Sequence, residues 1–449
     1  MAHILLVTGS FRGSLNRIGG FGAYLKKGGH EVTLAVPAHF QPLMEERGLS
    51  YRIFRPFFPP TPHERTWWKK QPAKGKTRMQ EAIEALDIER FDQIVEEIQP
   101  DLLLIDMEQH HLVSKAPSYA IPFALLLGWY TIWKRPGIPL IHRHTIPGEG
   151  FKGSSLGLEL SWLKHQLKKW LRNRKYWLRD GGTDRLSLLK ALAKQTGFPF
   201  QKEAEKYQWL IPVSYKTLPV LTTVLEELEF PTQNRPNLHY IGPMVYLDRK
   251  EADFTNEEIE RRLDELFAEK QAGKYSKCIY WATSSILSTE ISLLKRIIAV
   301  MQRNPDWLLI LGMGKKLKAE QLGKLPSNVA LFPFLPQLKV LAYADCCFHH
   351  GGINTLNECI HFKVPCIIYS GGVMDGPGVT ARIAYHKIGI VGDANKDRTS
   401  DIEQHIQRTF SDPEILDHME RVYNAYLSSR GKGLAVVEKL LDSGQPVKI

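Results

Sequence analysis

Short apolar runs bounded by Gly and Pro alternate with helical patterns along this chain, and the alternation starts twice. HILLVTG (3–9), EVTLAVP (31–37), DLLLIDM (101–107) and PFALLLGWY (122–130) form the first series. KCIYWAT (277–283), DWLLILGMG (306–314), NVALFPF (328–334), DCCFHH (345–350) and PCIIYSG (365–371) form the second. Strand-like runs separated by helical stretches are the mark of βαβ units. The repetition therefore predicts an α/β protein with two doubly wound, Rossmann-like domains facing across a cleft. The boundary falls in YIGPMVYLDRKEADF (240–254), where Gly242-Pro243 ends one pattern and a charged segment begins the next. This divides the chain into residues 1–244 and 245–449, with the last helix expected to pack back on the first domain.

A chain of 449 residues exceeds one ordinary core, and 43% hydrophobic with 24% charged residues excludes global disorder. The formal net charge of +11 favours anions: nucleic acid, anionic lipid or phosphorylated small molecules. No nucleic-acid recognition motif and no GxxxxGK[ST] phosphate loop is present, so no nucleic-acid partner is expected. Cys278, Cys346, Cys347, Cys359 and Cys366 show no metal-ligand spacing and read as reduced, buried thiols of a cytoplasmic protein. The opening MAHILLVTGS reads as a first strand rather than a signal peptide, and the longest apolar stretch, 121–133, falls short of the roughly 20 residues of a spanning helix.

GLELSWLKHQLKKWLRNRKYWL (157–178) is different in kind. Leu160, Leu163, Leu167, Trp170, Leu171 and Trp177 fall near one helical face, and Lys164, Lys168, Lys169, Arg172, Arg174 and Lys175 add positive charge. Such a helix either covers the core with that apolar face or lies on an anionic bilayer, peripheral to the inner membrane face. TWWKKQPAKGKTR (66–78) shares the basic and aromatic character without helical order, and reads as a loop.

HHGGINTLNE (349–358) carries the most specific chemistry. DCCFHH reads as a buried strand and NTLNECIHF (354–362) as a short helix, so the glycines sit in the turn between them. Gly351 and Gly352 permit close backbone approach, and the unpaired N–H groups of a helix start favour phosphate oxygens. Asn354, Thr355 and His350 add side-chain donors, and Glu358 follows Asn354 by one turn on the same face, placed to accept from a ribose diol. Phosphate and ribose together imply a nucleotide, gripped without metal.

Across FLPQLKVLAYADCCFHHGGINTLNECIHFKVPCIIYSGGVMDGPGVTARIAYHKIGI (334–390), the order and spacing of Pro336-Gln337, His349-His350-Gly351-Gly352, Thr355, Glu358, Val364-Pro365, Asp375, Ala381 and Gly389 resemble the bacterial nucleotide-sugar-dependent glycosyltransferases of the UDP-glycosyltransferase superfamily. That group includes macrolide, glycopeptide, carotenoid and sterol glycosyltransferases. The resemblance implies a GT-B fold, an acceptor-binding first domain, a donor-binding second domain, and a UDP- or dTDP-sugar as co-substrate with no other cofactor. It also implies that Phe334 stacks on the base, that Gln337 lies near base or ribose, and that Glu358 binds the ribose. His350, Gly351, Gly352, Asn354, Thr355 and Ser285 would contact the phosphates, and Asp375 the sugar hydroxyls. The usual Gln after that Asp is replaced by Gly376.

Inverting transfer needs a base for the acceptor hydroxyl. By the same resemblance a His in the loop after the first strand serves, oriented by an Asp after a later strand. These positions fall on Ser14 and Asp106. Serine is no general base at neutral pH without help, which leaves three accounts open: Asp106 acts directly, His110 or His111 substitutes, or the chain binds a nucleotide sugar without efficient transfer. An epimerase or hydrolase on the same architecture is a further alternative. His142 and His144 lack a third ligand and read as structural. The apolar character of FALLLGWYTIW (123–133) and PFFPP (56–60) points to a lipophilic hydroxyl acceptor.

Overall fold

The apolar runs are buried on both of their alternating faces, and this selects parallel strands with helices on either side. A computed structural model describes residues 1–57, 75–210, 213–249, 257–282, 291–314 and 317–443. Its first sheet contains β1 (His3–Val7), β2 (Glu31–Pro37), β3 (Tyr51–Phe54), β4 (Leu102–Asp106), β5 (Phe123–Leu127), β6 (Val220–Thr222) and β7 (Leu238–Tyr240), in the order β3-β2-β1-β4-β5-β6-β7. The second contains β8 (Lys277–Trp281), β9 (Trp307–Gly312), β10 (Val329–Phe332), β11 (Cys346–His349), β12 (Cys366–Ile368) and β13 (Gly389–Val391), in the order β10-β9-β8-β11-β12-β13. Every pairing is parallel. Both sheets are thus doubly wound. The alternation read from sequence omits β3, β6, β7 and β13, each only three or four residues long. Strands that short take their identity from the neighbour they pair with.

The two domains touch through a buried ion pair. Arg382, on the helix Gly376–His386 of the second domain, donates from Nε to Glu229 of the first at 3.1 Å and lies 4.4 Å from the ring centres of Tyr130 and Phe230. Glu229 also accepts from the backbone N–H of Thr131 at 2.8 Å, so both charges are compensated where water is excluded. After the helix Pro413–Ser429 the chain turns at Gly431 (φ 102°), and the helix Lys432–Asp442 lays Leu434 and Val437 against Ile4, Phe21 and Ile241 of the first domain.

The basic segment forms a helix, Ser155–Arg179, capped by Ser154 Oγ accepting from Gly157 N at 3.1 Å. Its orientation corrects the core-covering reading. Leu158, Trp162, His165 and Lys169 face the core, whereas Leu160, Leu163, Leu167, Trp170, Leu171 and Trp177 are all about half exposed or more. Trp162 Nε1 donates to Ile138 O at 2.9 Å and Lys169 Nζ to Gln208 O at 3.1 Å, which sets the rotation of the helix. No described helix is long and apolar enough to cross a membrane.

Candidate active site

Each sheet reverses its strand order once, between β1 and β4 in the first and between β8 and β11 in the second. Crevices open beyond the carboxyl ends of parallel strands at such points. Ser14 lies just beyond β1, Asp106 ends β4 with His110 and His111 after it, Phe334 and Gln337 follow β10, His350 to Glu358 follow β11, and Asp375 follows β12. Ser285 and most of 66–78 and 56–60 lie outside the described residues.

On the second domain, β11 runs through the double glycine into the helix Ile353–His361. Gly351 has φ 89°, and a Cβ there would stand 2.9 Å from Thr380 Oγ1 and 3.1 Å from Gly376 O; the turn needs glycine for conformation and for space. Gly352 is the residue before the helix, with no side-chain cap on the first-turn N–H groups. His350 lies over it, since a Cβ on Gly352 would meet His350 Nε2 at 2.8 Å. Burial lowers the His350 pKa, so the ring is neutral and offers one N–H donor. Asn354 Nδ2 donates across the cleft to Gly13 O at 2.9 Å, bringing this helix start against the start of the first-domain helix Arg12–Lys27.

One turn further, buried Glu358 accepts from Arg249 Nη1 and from Gln337 Nε2, while Gln337 Oε1 accepts from Tyr280 OH at 3.3 Å. Thr355 Oγ1 lies 3.5 Å from the Gln337 amide nitrogen. Phe334, half-buried, follows β10. Asp375 precedes the helix Gly376–His386, and burial pushes its carboxyl up to about 6 against the pull of its own backbone N–H, Arg17 and Arg382. A pocket at the seam is lined by Asn16 and Arg17, by Tyr246 and Arg249 of the connecting segment, and by Asn354, Asn357 and Glu358.

The first-domain side is a network around Asp106, the last residue of β4. Ser14 Oγ donates to Asp106 Oδ2 at 2.6 Å, Arg17 Nη2 donates to the same oxygen at 3.0 Å, and Glu108 N donates to Oδ1 at 3.0 Å. Two glycines make room. A Cβ on Gly9 would stand 2.7 Å from Ser14 Oγ, and one on Gly128 would overlap the Arg17 guanidinium at 1.2 Å. Both Asp106 oxygens are therefore engaged. Glu108, two residues on and half-buried, lies among Asp106, Arg17, Arg185 and Asp375, and its carboxyl is raised to about 8, first by burial and then by Asp106.

The expectation that His110 or His111 substitutes for the missing imidazole is corrected. Both rings are buried in the first domain, packed against Phe57; His110 Nδ1 bonds Tyr215 OH at 3.0 Å and His111 Nε2 bonds Arg55 O at 3.2 Å. Burial drives both to about 3. The helix His110–Lys115 turns these side chains toward the core rather than the cleft. His142 lies against His165 and Trp209 with no third ligand. Among the described residues one group has metal-binding types, His349, Cys359 and Cys366, with ligand atoms within 4.8 Å of one another. All three are buried in the core, and both thiols are held well above their ordinary range, Cys359 chiefly by burial and Cys366 chiefly by its hydrogen bond with Cys359, which opposes thiolate formation.

Comparison with known proteins accounts for this arrangement. The family described as erythromycin biosynthesis protein CIII-like, C-terminal domain, matches residues 306–442. Oleandomycin glycosyltransferase of Streptomyces antibioticus is 22% identical over 88% of this chain and 80% of its own. The crystal structure of the kitacinnamycin glycotransferase superposes with a TM-score of 0.66 at 18% identity, covering 99% of both chains. The chain is similar to glycosyltransferases of the UDP-glycosyltransferase superfamily. The uncharacterized UDP-glucosyltransferase YdhE of Bacillus subtilis is 35% identical over 18% of this chain and 21% of its own. The chain spans between 16% and 34% of the length of four curated relatives it matches, YdhE among them. Against the pattern of that resemblance, Ser14 on the first domain and Gly376 on the second are the departures. Sequence reasoning missed Glu108, Arg17 and Arg249. Arg17 follows Ser14 by three residues, a spacing that puts both on one helical face, and Glu108 stood two residues from a candidate. Arg249 had no local signal.

Proposed function

We propose that this protein is an inverting, metal-independent glycosyltransferase that moves a hexose from a UDP- or dTDP-sugar to a hydroxyl of a lipophilic acceptor, in the cytoplasm. The observation that carries the reading is the uncapped helix start after Gly351-Gly352, facing the first domain with Glu358 one turn behind it. The diphosphate would lie against those N–H groups and His350, the ribose diol would take Glu358 from Arg249 and Gln337, and Phe334 would stack on the base. Asp375 would accept from sugar hydroxyls.

The acceptor would enter from the first domain. Its oxygen attacks the anomeric carbon opposite the diphosphate, the carbon–oxygen bond to phosphate breaks, and the electron pair leaves on the diphosphate, stabilised by the helix start and by Asn354. The hydroxyl proton goes to Glu108. This carboxylate suits the task because burial has raised its proton affinity into the working range, whereas Asp106 is committed to Ser14 and Arg17. Asp106 then acts as a positioning residue.

The test is acceptor-dependent nucleotide release from a panel of UDP- and dTDP-sugars with lipophilic alcohols, followed with glycosylated product by mass spectrometry. Release lost in Glu358→Ala supports a transferase. Ser14 at the imidazole position favours a second reading, a nucleotide-sugar-binding subunit, and donor binding without release across a broad panel would establish it.

A further inference from the structure

The helix Ser155–Arg179 is apolar on two opposite sides. One side is held in the first domain by Leu158, Trp162, His165 and Lys169. Positions 160, 163, 167, 170, 171 and 177 lie roughly half a turn away at about 100° per residue, and the exposures there are 47% for Leu160, 64% for Leu163, 58% for Leu167, 54% for Trp170, 53% for Leu171 and 50% for Trp177. Core packing explains the first side. It leaves the second unexplained, because a continuous exposed apolar stripe of this length marks an interaction surface.

Charge identifies the occupant. Lys164, Lys168, Lys175 and Arg179 run along one border of the stripe, and all four are exposed. Arg174 lies within it, 5.2 Å from the Trp170 ring, with a side chain long enough to carry its charge sideways out of an apolar layer. Glu159 is the sole acidic residue of the helix, and it is already paired with Lys134 at 2.5 Å. A second copy packed antiparallel on this face by a two-fold axis would set basic border against basic border. An anionic, apolar partner satisfies both features at once.

We propose that this outward face docks the protein on an anionic lipid bilayer, with the leucines in the acyl boundary, Trp170 and Trp177 at headgroup level, and the lysines against lipid phosphates. The site lies outside the catalytic cleft, so it stands or falls separately from the transfer reaction.

The experiment is flotation of the full chain with vesicles of phosphatidylcholine alone or containing about 30 mol% phosphatidylglycerol, alongside sedimentation velocity without lipid. Wild type is expected to partition onto the anionic vesicles at least about tenfold better than onto neutral ones, with the preference falling as salt rises. Leu163→Glu with Leu167→Glu should abolish binding. Lys164→Glu with Lys168→Glu should abolish the anionic preference. Both pairs are exposed, so unchanged melting temperatures confirm folded protein. Absence of vesicle binding by wild type, equal binding by the leucine pair, or a lipid-free dimer that the leucine pair dissolves would each overturn the proposal.

Discussion

The two walls of the cleft use opposite strategies. On the second domain a single contiguous stretch, His349 to Glu358, supplies glycine turn, helix start and carboxylate, and the fold adds little beyond setting it at the end of β11. On the first domain no stretch is sufficient: Ser14 and Arg17 come from one helix, Asp106 and Glu108 from the end of β4, and Gly9 and Gly128 make the space that lets them meet. A ligand made of repeating, invariant parts can be gripped by a local motif. A cluster that balances several charges at once draws them from separate elements.

The largest effect that would break this contrast is at Glu108. Glu108→Gln should lower kcat/KM by about 10²- to 10⁴-fold while leaving donor affinity intact, measured by product formation and calorimetry. Retained activity would return the base to Asp106. In the wild type, kcat/KM should climb as pH rises through about 8, because the carboxyl must lose its proton to accept another. Stability should run the other way. The folded pKa lies above the unfolded one, so the folded state holds a proton the unfolded state has released, and stability falls as pH rises from the unfolded value to about 8. The melting-temperature advantage of Glu108→Gln over wild type should widen across that window and level off above it.

On the other wall, Glu358→Gln should weaken nucleotide binding by roughly 10- to 100-fold, the loss of a charge-assisted grip on two hydroxyls, with little change in the pH profile. Gly351→Ala should destabilise by about 1–3 kcal/mol in chemical denaturation, since its φ of 89° and the 2.9 Å approach to Thr380 both penalise a side chain. The smallest effect is expected at Ser14. Ser14→Ala removes one hydrogen bond to Asp106 and leaves Arg17 in place, so activity should stay within about tenfold. A collapse of activity there would make the serine part of the proton path and sharpen the case for a relay through Asp106.

Legibility followed the same division. Gly351, Gly352, Asn354 and Glu358 could be read from adjacent positions and helical spacing, and the structure places Asn354 and Glu358 in the lining of the seam pocket. His110 and His111 misled because a pair of histidines after a strand looks like cleft chemistry, whereas the helix that begins there rotates both into the core against Phe57 and Tyr215. Arg249 was invisible because its partner, Glu358, is 109 residues away.

Sequence alone determined the two parallel sheets, since runs apolar on both faces have few other ways to be buried, and it determined the glycine turn between β11 and the helix Ile353–His361, since glycine and helix spacing are local properties. Tertiary structure decided the rest. Helical periodicity placed Leu160, Leu163, Leu167, Trp170, Leu171 and Trp177 near one face of 157–178, but which side of the helix turns inward was settled by Trp162 reaching Ile138 and Lys169 reaching Gln208. In the same way, Glu108 has a high proton affinity only because folding removes water from it and sets Asp106 beside it. Burial and charge proximity belong to the assembled molecule, and no local pattern encodes them.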